Sequence, residues 1–279
     1  MINKHIKNIE LLTFRMKLLA LEMARNVGQK GSHLGGSFSC MEILAVLYSH
    51  VMKFDAKNPE WDDRDRFILS KAHAVLAFYP VLYEFGFLTI EEIKDFYVND
   101  TLLIGHPMLP EKGFEFSGGS LGHGISQGIG CALAARLKNQ DFQTYVLVGD
   151  GECQEGSIWE SAMLAAHLKL NNLTVIIDNN KLQYDGKCDE LLISSNAIVE
   201  SWKSFGWEVH IANGHSIKEL INAFDARSIK GDCPHLIVAD TVKGNGISFM
   251  ENQPEWHHAQ LSQSQYEIAR REIERFYEK

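Results

Sequence analysis

Apolar residues recur at intervals of three and four near the start of the chain, from about Lys4 to Gln29. This is the period of a helix with one buried face, so the pattern predicts an amphipathic first helix. A glycine-rich break leads into a second helical stretch from Met41 to Val51. We therefore expect an N-terminal helical segment over about residues 1–60.

After about residue 120, short apolar runs alternate with helical patterns. Strands alternating with helices predict an α/β fold with a mostly parallel sheet and helices on both faces. We expect one domain over residues 1–279, ending in a charged helix over about 263–279. Ser157 and Ser216 are each followed three positions later by glutamate, which is typical of a helix start. The predicted strands are 66–69, 144–148, 173–177, 207–212 and 235–240, and the predicted helices between them are 75–97, 121–137, 157–170, 196–205 and 216–228.

The composition is that of a mildly acidic globular protein, since 45% of the 279 residues are apolar and the net charge is −9. An acidic chain without a basic stretch is not expected to bind nucleic acid. No apolar run approaches the roughly 18 residues that cross a membrane, and the first residues lack a signal core, so we expect a cytoplasmic protein. The five cysteines lie far apart without a Cys-x-x-Cys pair, which favours reduced thiols over a zinc site or a disulfide framework.

Oxygen-bearing side chains follow two successive predicted strands. Gly149-Asp150-Gly151 comes after one strand, and Asn180 follows the next. A right-handed crossover brings the carboxyl ends of parallel strands to one sheet edge, so Asp150 and Asn180 are expected to face the same point. A carboxylate, an amide oxygen and a backbone carbonyl suit Mg²⁺, which commonly completes its shell with phosphate oxygens and water. Because Gly149 and Gly151 let a ligand approach the backbone closely, the pattern predicts a diphosphate site with a bridging metal.

A dinucleotide site is the alternative for a glycine-rich α/β protein. Gly122-x-Gly124 is followed by Gln127 where a third glycine would stand, and the segment does not open directly after a strand. The spacing therefore argues against a nicotinamide cofactor.

The run from Gly149 to Glu160, with residues 178–183 and Asp185-Gly186, resembles the thiamine-diphosphate motif of transketolases. Within that family, the chain is most similar to the separately encoded N-terminal subunit of split transketolases. The further motifs occur in family order and are Ser32-His33-Leu34-Gly35-Gly36, Ser70-Lys71-Ala72-His73, Gly105-His106-Pro107, Ser120-Leu121-Gly122-His123-Gly124, and 243–252 followed by Trp256-His257.

The resemblance implies roles for individual residues. Mg²⁺, or another divalent cation such as Ca²⁺ or Mn²⁺, would be held by Asp150, Asn180 and the carbonyl of Leu182. The implied catalytic residues are His33, His106 and His257. The residues implied in binding thiamine diphosphate are His73, Gly122, His123, Gly149, Gly151, Glu155, Asn180, Lys243 and His257. For His123, a packing role in the small-residue helix is equally open.

The resemblance also implies a reaction, the transfer of a two-carbon ketol unit from a ketose phosphate to an aldose phosphate. The cofactor supplies the carbanion and electron sink, and histidines that titrate near neutrality can move the proton. In this family, the glutamate that protonates the cofactor's pyrimidine ring lies in a second α/β domain, whereas the residues after Asp150 are used in completing the first. We therefore expect a separate C-terminal transketolase subunit, with pyrimidine-binding and C-terminal domains, in an α2β2 heterotetramer.

Two other functions stay open at this point. One is the α subunit of a 2-oxo acid dehydrogenase, or a specialised two-carbon carboligase; the other is a non-catalytic scaffold subunit that retains the fold. Three positions depart from the family pattern: Ala72 and His258 each stand in place of a glycine, and Gly118 in place of a threonine. They spare the metal ligands and bear on substrate preference.

Overall fold

Five strands form a sheet at the centre of the fold. The structure, a computed structural model, describes residues 2–101, 103–108, 113–191, 194–228 and 230–277. The strands of this sheet are β1 (Arg66–Leu69), β2 (Thr144–Gly149), β3 (Leu173–Asn179), β6 (Glu208–Asn213) and β7 (His235–Asp240), and a two-stranded antiparallel ribbon, β4 (Leu182–Gln183) and β5 (Gly186–Lys187), lies apart from it. The strand order is β1-β2-β3-β7-β6, and all neighbours are parallel. The predicted α/β fold with a mostly parallel sheet is confirmed.

Helices cover both faces of this sheet. One face shares a hydrophobic core with α1 (Ile2–Val27), α3 (Met41–Val46), α4 (Val75–Glu84), α10 (Ile217–Asp225) and α11 (Gln263–Tyr277), and the other face shares one with α6 (Gly124–Lys138), α7 (Gly156–His167) and α9 (Ser195–Ser204). Because both faces are covered, β3 is buried along its whole length, and its first five residues, Leu173 to Ile177, are mostly apolar. The helices are α1 (Ile2–Val27), α2 (Leu34–Phe38), α3 (Met41–Val46), α4 (Val75–Glu84), α5 (Ile90–Lys94), α6 (Gly124–Lys138), α7 (Gly156–His167), α8 (Cys188–Leu191), α9 (Ser195–Ser204), α10 (Ile217–Asp225) and α11 (Gln263–Tyr277).

Two local predictions are wrong. The single helix expected over 75–97 is interrupted after α4, because Gly86 adopts a positive φ of 83° and Thr89 caps a new helix by accepting from the Glu92 amide. Ser157 does not cap α7, since its hydroxyl instead donates to the Gly122 carbonyl at 3.0 Å. Ser216 does cap α10, accepting from the Glu219 amide at 3.3 Å.

The carboxyl ends of β2 and β3 lie side by side, with Gly149 paired to Asp178. Asp150 and Asn180 follow at that edge, as the crossover argument predicts. None of the helices in the described ranges combines the length and the apolar character that crossing a bilayer requires.

Candidate active site

A cavity of about 300 Å³ opens at the carboxyl ends of β2 and β3. Ligands of α/β sheets bind at this edge because the loops there carry side chains that the sheet holds rigidly. The lining includes most of the residues predicted for the diphosphate and the metal. They are His73, Gly149, Asp150, Gly151, Glu155, Asn180, Leu182, Lys243 and His257.

Asp150 is buried at the floor of this cavity. Its carboxylate accepts from the Gly151 amide at 2.7 Å and from the Lys181 amide. Burial, reinforced by the neighbouring Asp178 carboxylate, raises the pKa of Asp150 to about 6. The ionised form of Asp150 is therefore less favourable here than in water, and a bound cation would offset this cost.

Two residues that line the same cavity as Asp150 offer neutral oxygens, the Asn180 side chain and the Leu182 carbonyl. The Asn180 side-chain nitrogen donates to Asp178 at 3.2 Å, and its oxygen accepts from the Leu182 amide at 3.1 Å. The Leu182 carbonyl accepts from the Lys243 ammonium at 3.0 Å, so it already attracts a positive charge. The donor set of one carboxylate, one amide and one carbonyl fits a hard divalent cation such as Mg²⁺.

An ion pair that the sequence did not reveal supports this floor. Lys71 and Asp178 are 2% and 0% exposed and form a salt bridge. Asp178 also accepts from the hydroxyls of Ser39 and Thr241, and Lys71 donates to the Gly36 carbonyl at 2.9 Å. Because the two charges are paired and each makes further hydrogen bonds, the burial of this pair is tolerable and the strand end is held in one arrangement.

Glu152 is a second buried group that the sequence did not reveal. It accepts from the amides of Gly122 and Gly149, at 2.8 and 3.0 Å, and from the Ser70 hydroxyl. It therefore joins three of the family motifs. The signal available in the sequence was the position of Glu152 between Asp150 and the following helix.

Histidines from four segments form one cluster over the cavity. The His33 ring centroid lies 5.1 Å from that of His73, 5.9 Å from His106 and 5.5 Å from His257. Burial, followed by the neighbouring imidazoles, lowers the pKa of His33 to about 3, and burial with the nearby lysines lowers that of His257 to about 4. Burial likewise lowers the pKa of His73 and His106. These imidazoles are therefore neutral at pH 7, each with one N–H donor and one lone pair.

Lys243 joins the cluster to the cavity floor. Besides the Leu182 carbonyl, its ammonium contacts His257 Nδ1 at 2.9 Å. Burial, with a further contribution from Lys71, lowers the pKa of Lys243 to about 8. It stays mostly protonated at neutral pH and leaves a cation facing the proposed diphosphate position.

A chain of contacts that begins in α1 reaches the backbone next to Lys243. Lys17 and Glu42, which are 1% and 5% exposed, form a buried ion pair at 2.7 Å. Glu42 also contacts His215 Nδ1 at 3.0 Å, and the Val242 amide donates to His215 Nε2 at 2.8 Å. Although burial would raise it, Lys17 and His215 lower the pKa of Glu42 to about 2. A charged network therefore fixes the backbone directly before Lys243.

Three predicted residues are placed differently from the rest. His123 is exposed and lines a neighbouring groove of about 400 Å³ rather than the cavity. Gly122 is buried beside α7 with a φ of 84°, and a β-carbon there would lie 2.4 Å from the Ser157 hydroxyl. Glu155 is exposed on the cavity rim. The cofactor-binding roles of these three stay predictions, as do the roles of the other predicted site residues.

Two of the family departures touch each other. A β-carbon added at Gly118 would lie 2.8 Å from the Ala72 methyl group, and Ala72 does not adopt a positive φ. Because glycine at position 118 lacks a β-carbon, it leaves room for the Ala72 methyl group. The third departure, His258, is exposed, and its ring lies 4.6 Å from that of His33.

Comparison with known proteins agrees with this geometry. The family described as "Transketolase, thiamine diphosphate binding domain" matches residues 11–275. An apulose-4-phosphate transketolase subunit from Phocaeicola vulgatus is 40% identical over 250 residues, which are 90% of this chain and 89% of that protein. The 6-deoxy-6-sulfo-D-fructose transketolase subunit SqwG of Clostridium sp. (strain MSTE9) is 36% identical over 89% of this chain and 91% of that protein.

Solved structures lead to the same class. The transketolase of Leishmania mexicana matches 97% of this chain with a TM-score of 0.87 and 29% identity, and the chain spans 42% of that protein. Fold and site thus define a thiamine diphosphate-binding α/β protein. The chain belongs to the transketolase family, and the matched region is its thiamine diphosphate-binding domain. The predicted family and the predicted organic cofactor are confirmed at this level.

Proposed function

We propose that the chain is the diphosphate- and metal-binding subunit of a two-component transketolase. In this proposal, it transfers a two-carbon ketol unit from a ketose phosphate to an aldose phosphate and works with a separate pyrimidine-binding subunit, two copies of each. The single observation that carries the proposal is the convergence of Asp150, Asn180 and Leu182 with neutral His73 and His257 on one cavity. The names of the two relatives, which are both transketolase subunits, support a separate partner.

In this proposal, different residues of this chain would bind the cation and the diphosphate. Asp150, Asn180 and the Leu182 carbonyl would hold the divalent cation, while His73, His257 and the backbone at Gly151 would hold diphosphate oxygens. Bound thiamine diphosphate would supply the carbanion and the electron sink. Neutral imidazoles can donate hydrogen bonds to an anion without the cost of burying another charge.

His33 and His106 would face the sugar. Each neutral ring can accept a hydrogen bond from a donor hydroxyl and donate one to a carbonyl oxygen, which positions the substrate and provides a route for a proton. The low pKa of His33 makes it a weak base, so its main contribution is orientation. The relatives' names include a ketose phosphate and a sulfonated ketose, which favours a ketose with an anionic end as the substrate class.

The test is reconstitution. Co-expression with a candidate partner subunit should yield ketol transfer that depends on thiamine diphosphate and Mg²⁺, measured with a panel of ketose phosphates. Asp150→Ala should abolish cofactor binding, measured by calorimetric titration, without unfolding the chain, whereas Asp189→Ala on the exposed surface of α8 should bind normally. Full activity of the chain without a partner would contradict the two-component proposal, and unchanged affinity in Asp150→Ala would contradict the metal assignment.

Family membership favours ketol transfer over the dehydrogenase and scaffold alternatives. A complex that decarboxylates a 2-oxo acid but does not turn over ketose phosphates would reverse this preference. The α2β2 stoichiometry, the cytoplasmic location and the single-domain organisation stay predictions.

A further inference from the structure

Two histidines from distant parts of the sequence meet at the surface, outside the cavity just described. His5 Nε2 lies 3.2 Å from His50 Nδ1, and the ring centroids are 5.3 Å apart. His5 belongs to α1, whereas His50 belongs to the π-helical turn Leu47–Val51 that follows α3. Such turns are rare and are frequently found at functional sites.

A carboxylate orients one of these rings from behind. His50 Nε2 lies 3.0 Å from Asp225 Oδ1 at the end of α10. If Nε2 carries the proton and donates it to Asp225, the lone pair of His50 Nδ1 faces His5. Metal-binding histidines typically use a carboxylate in this way, because it fixes the tautomer and makes the ring a stronger ligand.

The distance between the two nitrogens suits a shared metal ion. With zinc–nitrogen bonds of 2.0–2.1 Å, two ligands at a tetrahedral angle lie about 3.3 Å apart, and two at a right angle lie about 2.9 Å apart. The observed 3.2 Å is closer to the tetrahedral value. The His50 side chain is 26% exposed, so an ion can reach the site from solvent.

We propose that His5 Nε2 and His50 Nδ1 bind Zn²⁺, with Asp225 as the positioning residue and water in the remaining coordination positions. Within the described ranges, no group of three His, Cys, Asp or Glu side chains is arranged around one metal position, so this site has two protein ligands. The ion would fasten the start of α1 to the turn after α3 and, through Asp225, to α10. Because α10 returns from β6 to the start of β7, Asp225 lies at the end of the fold opposite the carboxyl edge of the sheet.

The test is a calorimetric titration of the full chain with Zn²⁺ in the presence of excess Mg²⁺, which fills hard-oxygen sites without competing for imidazole. We expect one equivalent of Zn²⁺ that binds at least tenfold more weakly in His5→Ala and in His50→Ala, and about 10- to 100-fold more weakly in Asp225→Asn. The matched control is His167→Ala, an exposed histidine at the end of α7, which should retain wild-type affinity.

A second measurement separates binding from folding. Zn²⁺ should raise the midpoint of thermal unfolding of the wild-type chain and of the control, but not that of the two ligand variants. Circular dichroism reports whether each variant is folded before the titration. The same Zn²⁺ affinity and the same thermal shift in His5→Ala or His50→Ala would overturn the proposal and leave the pair as a direct hydrogen bond between imidazoles.

Discussion

Asp150 should make the stability of the metal-free chain depend on pH in a direction that is unusual for a carboxylate. Its pKa is about 6 in the fold and 3.8 in the unfolded chain. The folded state therefore binds more protons between these values, and stability falls as pH rises through this window. A difference of about two units corresponds to about 3 kcal/mol, present below pH 4 and lost above pH 6.

The substitution Asp150→Asn isolates this contribution. Asparagine cannot ionise. The carboxylate accepts hydrogen bonds from two backbone N–H groups, and the side-chain NH2 of asparagine must face one of them, which costs about 1–3 kcal/mol because that hydrogen bond is lost. The variant should therefore be less stable than the wild type at pH 4. It should gain about 3 kcal/mol relative to the wild type by pH 7.5, which brings it level or makes it the more stable chain.

Urea unfolding of both chains without metal, at half-unit steps from pH 4 to 7.5, measures this difference. The buried Glu152 also has a raised pKa, and its contribution cancels because both chains contain it. Saturating Mg²⁺ and thiamine diphosphate should then stabilise the wild type and leave Asp150→Asn unchanged. A stability difference that does not vary with pH, or equal stabilisation of both chains by the ligands, would refute the reasoning.

Two further predictions concern packing and buried charge. Glu42→Gln leaves the Lys17 ammonium buried without its counter-ion and should lower the free energy of unfolding by about 3–5 kcal/mol, whereas Glu200→Gln, which breaks the exposed pair with Lys203, should cost less than about 1 kcal/mol. Gly118→Ala should destabilise the chain by about 1–3 kcal/mol, and most of this loss should disappear in the Ala72→Gly background.

Urea denaturation measures both effects. Equal losses in the two glutamate variants would show that the buried pair is no more important than a surface one. Strictly additive effects of Gly118→Ala and Ala72→Gly would show that the two positions do not compete for the same space.

The strands were predictable because a parallel sheet covered on both faces turns each central strand into an apolar run. The extension of β3 through Asp178 and Asn179 could not be predicted in this way, because these polar residues pair with β7 through backbone contacts that no hydropathy pattern reveals. The interruption after α4 was not predicted for a related reason. The apolar periodicity continues through Gly86, but the helical backbone conformation ends there.

The candidate site also has a part that the sequence predicts and a part that it does not. The meeting of Asp150 and Asn180 follows from chain order and crossover handedness, both of which can be read from a sequence. The partners of Asp178 cannot, because Ser39, Lys71 and Thr241 come from three segments whose approach depends on tertiary packing. In the same way, the motif around His123 does not reveal that this side chain lines the neighbouring groove rather than the cavity.

The strand order has a consequence for how the protein is made. Among the strands that the structure describes, β7 is the last in chain order, yet it lies between β3 and β6. Until residues 235–240 leave the ribosome, β6 has no strand beside it, and one edge of β3 is open to pairing with other chains. His215, which contacts Glu42 and accepts from the Val242 amide, is likewise synthesised late. The sheet can therefore be completed only late in synthesis. Lys243, which lines the cavity, follows three residues after the end of β7.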